Sequence, residues 1–159
     1  MAANLKTTKY NDGSSIAYPG DDDEAWVQNT NGAYAWYGND IANKDVWGAL
    51  YNWHAVNTLK LCPSGWHVPN DLEWTALTDF LASEGHDGTQ GAALKAETGW
   101  LFDGNGTDNY GFAALPGGYR HVNGYFNYEG TYGYWWSSTA TNESWALYRY
   151  IQGSNQTKC

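Results

Sequence analysis

Ten Trp and 13 Tyr in a chain of 159 residues are more aromatic rings than one small core can hide. The crowding is worst late in the chain. Tyr119, Tyr125, Phe126, Tyr128, Tyr132, Tyr134, Trp135, Trp136, Trp145, Tyr148 and Tyr150 fall within 32 positions, 119 to 150. If these segments are strands, alternate residues face opposite ways, and a small sheet with one covered face leaves several rings in water. Such rings are drawn to sugar faces, to other proteins or to identical neighbours.

Composition narrows the classes. Charged residues make up 16% of the chain and the net charge is -9, so no basic surface is available to hold a phosphate backbone, and nucleic acid is excluded as a partner. No run of about 18 apolar residues is present to span a membrane. Met1 to Lys6 lacks the apolar core of a signal peptide, so either a signal has been removed or the chain begins inside a longer protein. Cys62 and Cys159 are read either as two free thiols or as one disulfide; the extracellular look of the composition favours the disulfide.

Local signals predict helices first and strands later. Asn11-Asp12-Gly13 is a turn, Asp21 to Glu24 an exposed acidic loop, and Ala33 to Tyr37 a short strand. Trp47, Leu50, Tyr51 and His54 recur at helical spacing and predict a helix over 41–56. Asn70 followed by Glu73 is a capping-box variant that opens a helix over 71–82, with Leu72, Leu77, Phe80 and Leu81 expected inside. A shorter helix is expected over 91–97. From Trp100 the pattern becomes that of an antiparallel sheet, with a tight hairpin at Asn123-Gly124 and central strands at 134–138 and 145–150. This order predicts an α+β domain occupying residues 1–159.

No catalytic pattern emerges. His54, His67, His86 and His121 lack metal-ligand spacing, and Ser137 and Ser138 have no base nearby. Asp103, Asn105 and Asp108 offer oxygen ligands for calcium. Asp108, however, stands where a calcium loop needs glycine and Ala114 where it needs a bidentate glutamate, so an ordinary turn is the preferred reading. No other cofactor is indicated. Leu115-Pro116-Gly117-Gly118-Tyr119-Arg120 reads as a structural corner, with a ligand-facing Arg120 as the alternative. The candidate ligand-binding residues are Tyr119, Arg120, Tyr125, Tyr128, Tyr132, Tyr134, Trp135, Trp145 and Tyr148.

Five ordered blocks are familiar together: Asn4 to Gly13, Gly48 to Trp53, Leu61 to Pro69, Tyr110 to Arg120 and Gly133 to Thr139. They resemble the Fibrobacter succinogenes major paralogous domain, a family of bacterial surface and secreted modules. The resemblance implies a C-type-lectin-like fold, two helices packed on a small twisted antiparallel sheet with long loops, in the branch that holds formylglycine-generating enzymes and retroelement-diversified binding proteins. It also supports a Cys62–Cys159 disulfide. The cysteine pair that those enzymes place near their active site is missing here. Almost nothing precedes Asn4, where family members carry a further strand; a second copy could supply it by strand addition. The expectation is a non-catalytic extracellular or cell-surface module that binds carbohydrate or protein through exposed Tyr and Trp, with a self-assembling structural subunit as the alternative and an oxidase remnant behind both.

Overall fold

A computed structural model describes residues 3–142 and 145–153. The N-terminal third is built from short, capped pieces. Asp22 accepts a hydrogen bond from the Ala25 amide and opens helix α1 (Asp23–Val27), whose first turn carries Asp23 and Glu24 against the positive end of the helix. The acidic run expected as a solvated loop is therefore in large part a helix start, and it serves to bury Trp26. Strand β1 (Tyr34–Ala35) follows.

The single helix expected over 41–56 is broken. A 3-10 turn (Ile41–Asn43) leads into α2 (Lys44–Trp47), then β2 (Leu50–Tyr51) pairs with β1, and Asn52 caps a new helix, α3 (Trp53–Asn57). The break is at Gly48, at φ +77, where the N-terminal segment crosses so closely that a Cβ would lie 2.7 Å from Asn4 Cβ and 2.9 Å from the Leu5 carbonyl oxygen. Helical periodicity yields to that long-range contact.

The capping box is present: Asn70 Oδ1 accepts from the Glu73 amide at 3.0 Å, and Glu73 accepts from the Asn70 amide at 2.8 Å. Helix α4 (Asp71–Leu81) starts there and buries Trp74 and Leu81. Leu72, expected inside, is 80% exposed, and Phe80 is about half exposed. Helix α5 (Gln90–Leu94) is shorter than expected because Lys95 turns extended and bridges Ala114.

Four strands form the main sheet: β3 (Gly117–Arg120), β4 (Phe126–Glu129), β5 (Tyr132–Ala140) and β6 (Ala146–Gln152), in the order β4-β3-β5-β6. The hairpin between β3 and β4 turns at Gly124, φ +93, as the Asn-Gly dipeptide predicts. The sheet is not wholly antiparallel, since β3 meets β5 in parallel through Gly118 and Gly133. The fold is thus α+β, with small sheets and few helices.

Helices α4 and α5 cover one face of β5 and β6, with Leu81, Leu94, Trp100 and Ile151 buried together and Trp135 packed against them. A second cluster, around Trp36, Trp53 and Val56, receives Trp136. Lys95 is buried and donates to the Gln152 and Gly153 carbonyls at 3.4 and 3.3 Å, tying down the end of β6.

Gly48→Ala is expected to destabilise the chain by about 3 kcal/mol. Gly65→Ala, at φ +84 in open space, should cost only about 1 kcal/mol. Urea denaturation of both variants checks this, and equal losses would refute the crossing at Gly48 as the cause of the helix break.

Candidate functional site

Strand alternation sorts the late aromatics. Along β5, Trp135 points to the helices, while Tyr132 and Tyr134 point the other way. Antiparallel pairing places Tyr150 opposite Tyr134 and Tyr148 opposite Trp136, so β6 adds two rings to the side away from the helices. Tyr119 reaches the same side from β3, its ring centroid 4.8 Å from that of Tyr134. Tyr128 sits in β4 at φ +66, and its ring meets Tyr119 at 5.8 Å and Tyr132 at 4.8 Å. Six tyrosines from all four strands therefore make one continuous surface.

Tyr134 is its hub, touching Tyr119, Tyr132, Tyr148 and Tyr150. Tyr132, Tyr134 and Tyr150 form a triangle with centroids 5.8 to 6.1 Å apart and ring planes inclined by 18° to 38°. The register partners on this side are Asn127 beside Tyr119 and Gln152 beside Tyr132, both neutral. Burial raises the Tyr134 phenol pKa well above the ordinary range, and the only charges that add to the effect are other tyrosinates. Tyr119 is raised for the same reasons. Tyr132 donates to Gln152 at 3.3 Å; among the described residues, the hydroxyls of Tyr119, Tyr128, Tyr134, Tyr148 and Tyr150 make no hydrogen bond to protein.

One end of the surface is closed by Trp136, whose indole donates to the Tyr51 carbonyl at 2.8 Å and packs on Trp53. The turn between Tyr128 and Tyr132 runs through Gly130, against which Leu101 packs. Besides the six tyrosines and Trp136, the described residues of this face are Asn127 and Gln152, and the exposed His121 ring meets Tyr119 at 6.1 Å.

Of the candidates named from the sequence, five assemble here: Tyr119, Tyr128, Tyr132, Tyr134 and Tyr148. Tyr150 completes the set; it stood among the crowded rings, but only its pairing with Tyr134 singles it out. Trp135 lies on the helix side against Phe112. Tyr125 and Trp145 are exposed, in the hairpin turn and at the start of β6, and make no ring contact with the six. Arg120 is a structural corner. Water reaches none of its side chain, which lies between the Trp26 and Phe126 rings and donates to Asp23 at 2.8 Å and to the Gly124 carbonyl at 2.8 Å.

The calcium candidates spend their oxygens on the backbone. Asn105 Oδ1 accepts from the Trp100 amide and Asp108 Oδ1 from the Ala113 amide, while Asp103 is an exposed turn residue at φ +56. Among the described residues, no three His, Cys, Asp or Glu side chains gather as a metal site. The Cys62 thiol is half-buried, and burial raises its pKa; its pairing with Cys159 lies outside the described residues.

Comparison with known families agrees with the ordered blocks. The model described as the Fibrobacter succinogenes major domain matches residues 1–158. The chain belongs to that family. In this Fibrobacter succinogenes major domain, the block from Leu61 to Pro69 leads into α4, the block ending at Arg120 forms β3, and Gly133 to Thr139 lies within β5. The motifs that define the resemblance are therefore those that build the sheet and its corner. No curated protein and no solved structure matches the chain.

Asp23→Asn removes the carboxylate that, among the described residues, pairs with the enclosed Arg120, and should cost about 2 kcal/mol. That is less than a fully buried pair would lose, because Asp23 is half open to water. An unchanged urea midpoint would dismiss this contact as the anchor of the hairpin. Alkali gives a second check. The folded state holds the phenolic protons of Tyr134 and Tyr51 more tightly than the unfolded chain does. This stabilisation is complete below about pH 10, the unfolded value, and is lost as pH rises towards the folded values. Ultraviolet titration should show a late group of tyrosines that ionises together with unfolding; uniform ionisation of all 13 near pH 10 contradicts it.

Proposed function

We propose that this chain is a non-catalytic recognition module with a C-type-lectin-like fold, working at a bacterial surface or after secretion, and that the tyrosine side of the sheet is where it holds carbohydrate or protein. The observation that carries this reading is the set of six packed tyrosines on the sheet face away from α4 and α5, with five hydroxyls that bond to no protein group among the described residues. Rings already held by one another lose little conformational freedom when a ligand arrives, so contact area is converted to affinity efficiently.

Self-assembly is the competing reading. It is favoured by the outer edge of β6, which pairs with β5 on one side only and borders an open groove lined by Asp71 and residues 146–150. Light scattering over a range of concentrations separates the two, since growth of the particle with concentration supports assembly.

The recognition reading is tested by probing the immobilised chain with a mixed panel of bacterial-surface and plant polysaccharides and extracellular matrix proteins. The double variant Tyr148→Ser, Tyr150→Ser, with its fold verified by circular dichroism, should lose about tenfold or more in affinity for whatever the parent retains. Full retention by the variant would move the binding site elsewhere.

A further inference from the structure

Resting on that reading, we infer that the occupant of the tyrosine face is an extended, uncharged glycan that crosses the strands from β4 to β6. The chemistry of the face selects the ligand. Its functional groups are aromatic rings and neutral hydroxyls, the counterparts of the C–H faces and hydroxyl rims of a neutral sugar. Among the described residues no Lys or Arg is paired with these tyrosines to receive a uronate, sulfate or phosphate: Arg120 is enclosed and bonded to Asp23, and Arg149 stands opposite Trp135 and pairs with Asp71. A polyanion would also meet the repulsion of a chain carrying -9. The same charge opposes a second copy as occupant, because two chains of -9 would have to meet through a surface that offers no compensating pair. A protein partner able to offset the charge would be basic, and its cations would find their attraction at the acidic residues elsewhere rather than on this neutral face.

Direction follows from what closes the face. Along the strands, the path is stopped at one end by Trp136, anchored to Tyr51. Across the strands it is open: Tyr128, Tyr119, Tyr134 and Tyr148 lead from β4 through β3 and β5 to β6, with successive centroids 5.8, 4.8 and 5.8 Å apart. Four rings, each in contact with the next, offer more surface than one sugar ring covers, which calls for several sugar rings in a row. Tyr128 and Tyr148, both about half exposed, stand at its two ends.

Calorimetry on the full chain decides the matter, using neutral β-linked gluco- and manno-oligosaccharides from disaccharide to hexasaccharide, with oligogalacturonate as the anionic control. Affinity should rise with length and change less than about twofold between roughly 0.05 and 0.5 M salt. Tyr128→Ser should weaken the hexasaccharide about tenfold while leaving the disaccharide nearly unchanged, and Tyr148→Phe should lose less than Tyr148→Ser because the ring remains. No binding by any neutral oligosaccharide overturns the inference. So does capture of oligogalacturonate or of a protein that is lost in the Tyr148→Ser, Tyr150→Ser variant, although that result keeps the tyrosine face as the site. Neutral-glycan binding indifferent to every tyrosine substitution overturns both the inference and the reading beneath it.

Discussion

The pairing of Tyr134 with Tyr150 across β5 and β6 determines which side chains meet the helices and which meet water. A slip of one residue would exchange Tyr134 for Trp135, leaving a phenol under α4 and an indole in solvent. The helix side holds the register. Trp74 donates its indole N–H to the Trp136 carbonyl, Arg149 pairs with Asp71, the Asp71 amide donates to Thr139 and the Ser138 amide donates to the Pro69 carbonyl. Each of these contacts joins the start of α4 to β5 or β6. The capping box at Asn70 therefore does more than begin a helix, because it sets the position from which the sheet is aligned.

A second fixture places the other half of the face. Tyr119 and Tyr128 belong to the β3–β4 hairpin, and that hairpin is held to the N-terminal part of the chain by Arg120. Its guanidinium is charged, enclosed and bonded to groups 4 and 97 positions away, Gly124 and Asp23. Trp26, which lies against the guanidinium, also donates to the His121 carbonyl at 2.9 Å. An acidic residue at the start of α1 thus influences a surface of neutral rings that it never touches.

Much of this was legible in the residues, and the parts that were not share a cause. Asn70 with Glu73, Asn123-Gly124 and the strand runs after 132 are local signals, and the elements they predict are present. Alternation alone also forecasts that late rings must remain exposed. What escaped depends on distant chain. Helical spacing over 41–56 is real, yet Gly48 is crossed by Asn4 and Leu5, a contact no window of sequence contains. Leu72 and Phe80 fit a helical stripe, but the stripe that the sheet accepts is the one through Trp74 and Leu81. Within the candidate site, Trp135 could be told from Tyr134 only after a side had been assigned to β5. Arg120 needed Asp23 and Trp26 to be recognised as enclosed.

The choice of tyrosine over phenylalanine at six positions has a physical reason that does not depend on which ligand is bound. A patch of this size made of phenylalanine would be a continuous apolar surface, favouring association against the repulsion of a chain that carries -9. The phenol hydroxyls hydrate the rim while the rings stay packed against one another. The pressure that keeps the surface soluble also leaves hydroxyls unengaged and rings aligned, so solubility and readiness to bind come from the same atoms. Tyr134 marks the limit of that arrangement: hemmed in by four rings, it is the phenol of this face whose proton burial holds most firmly.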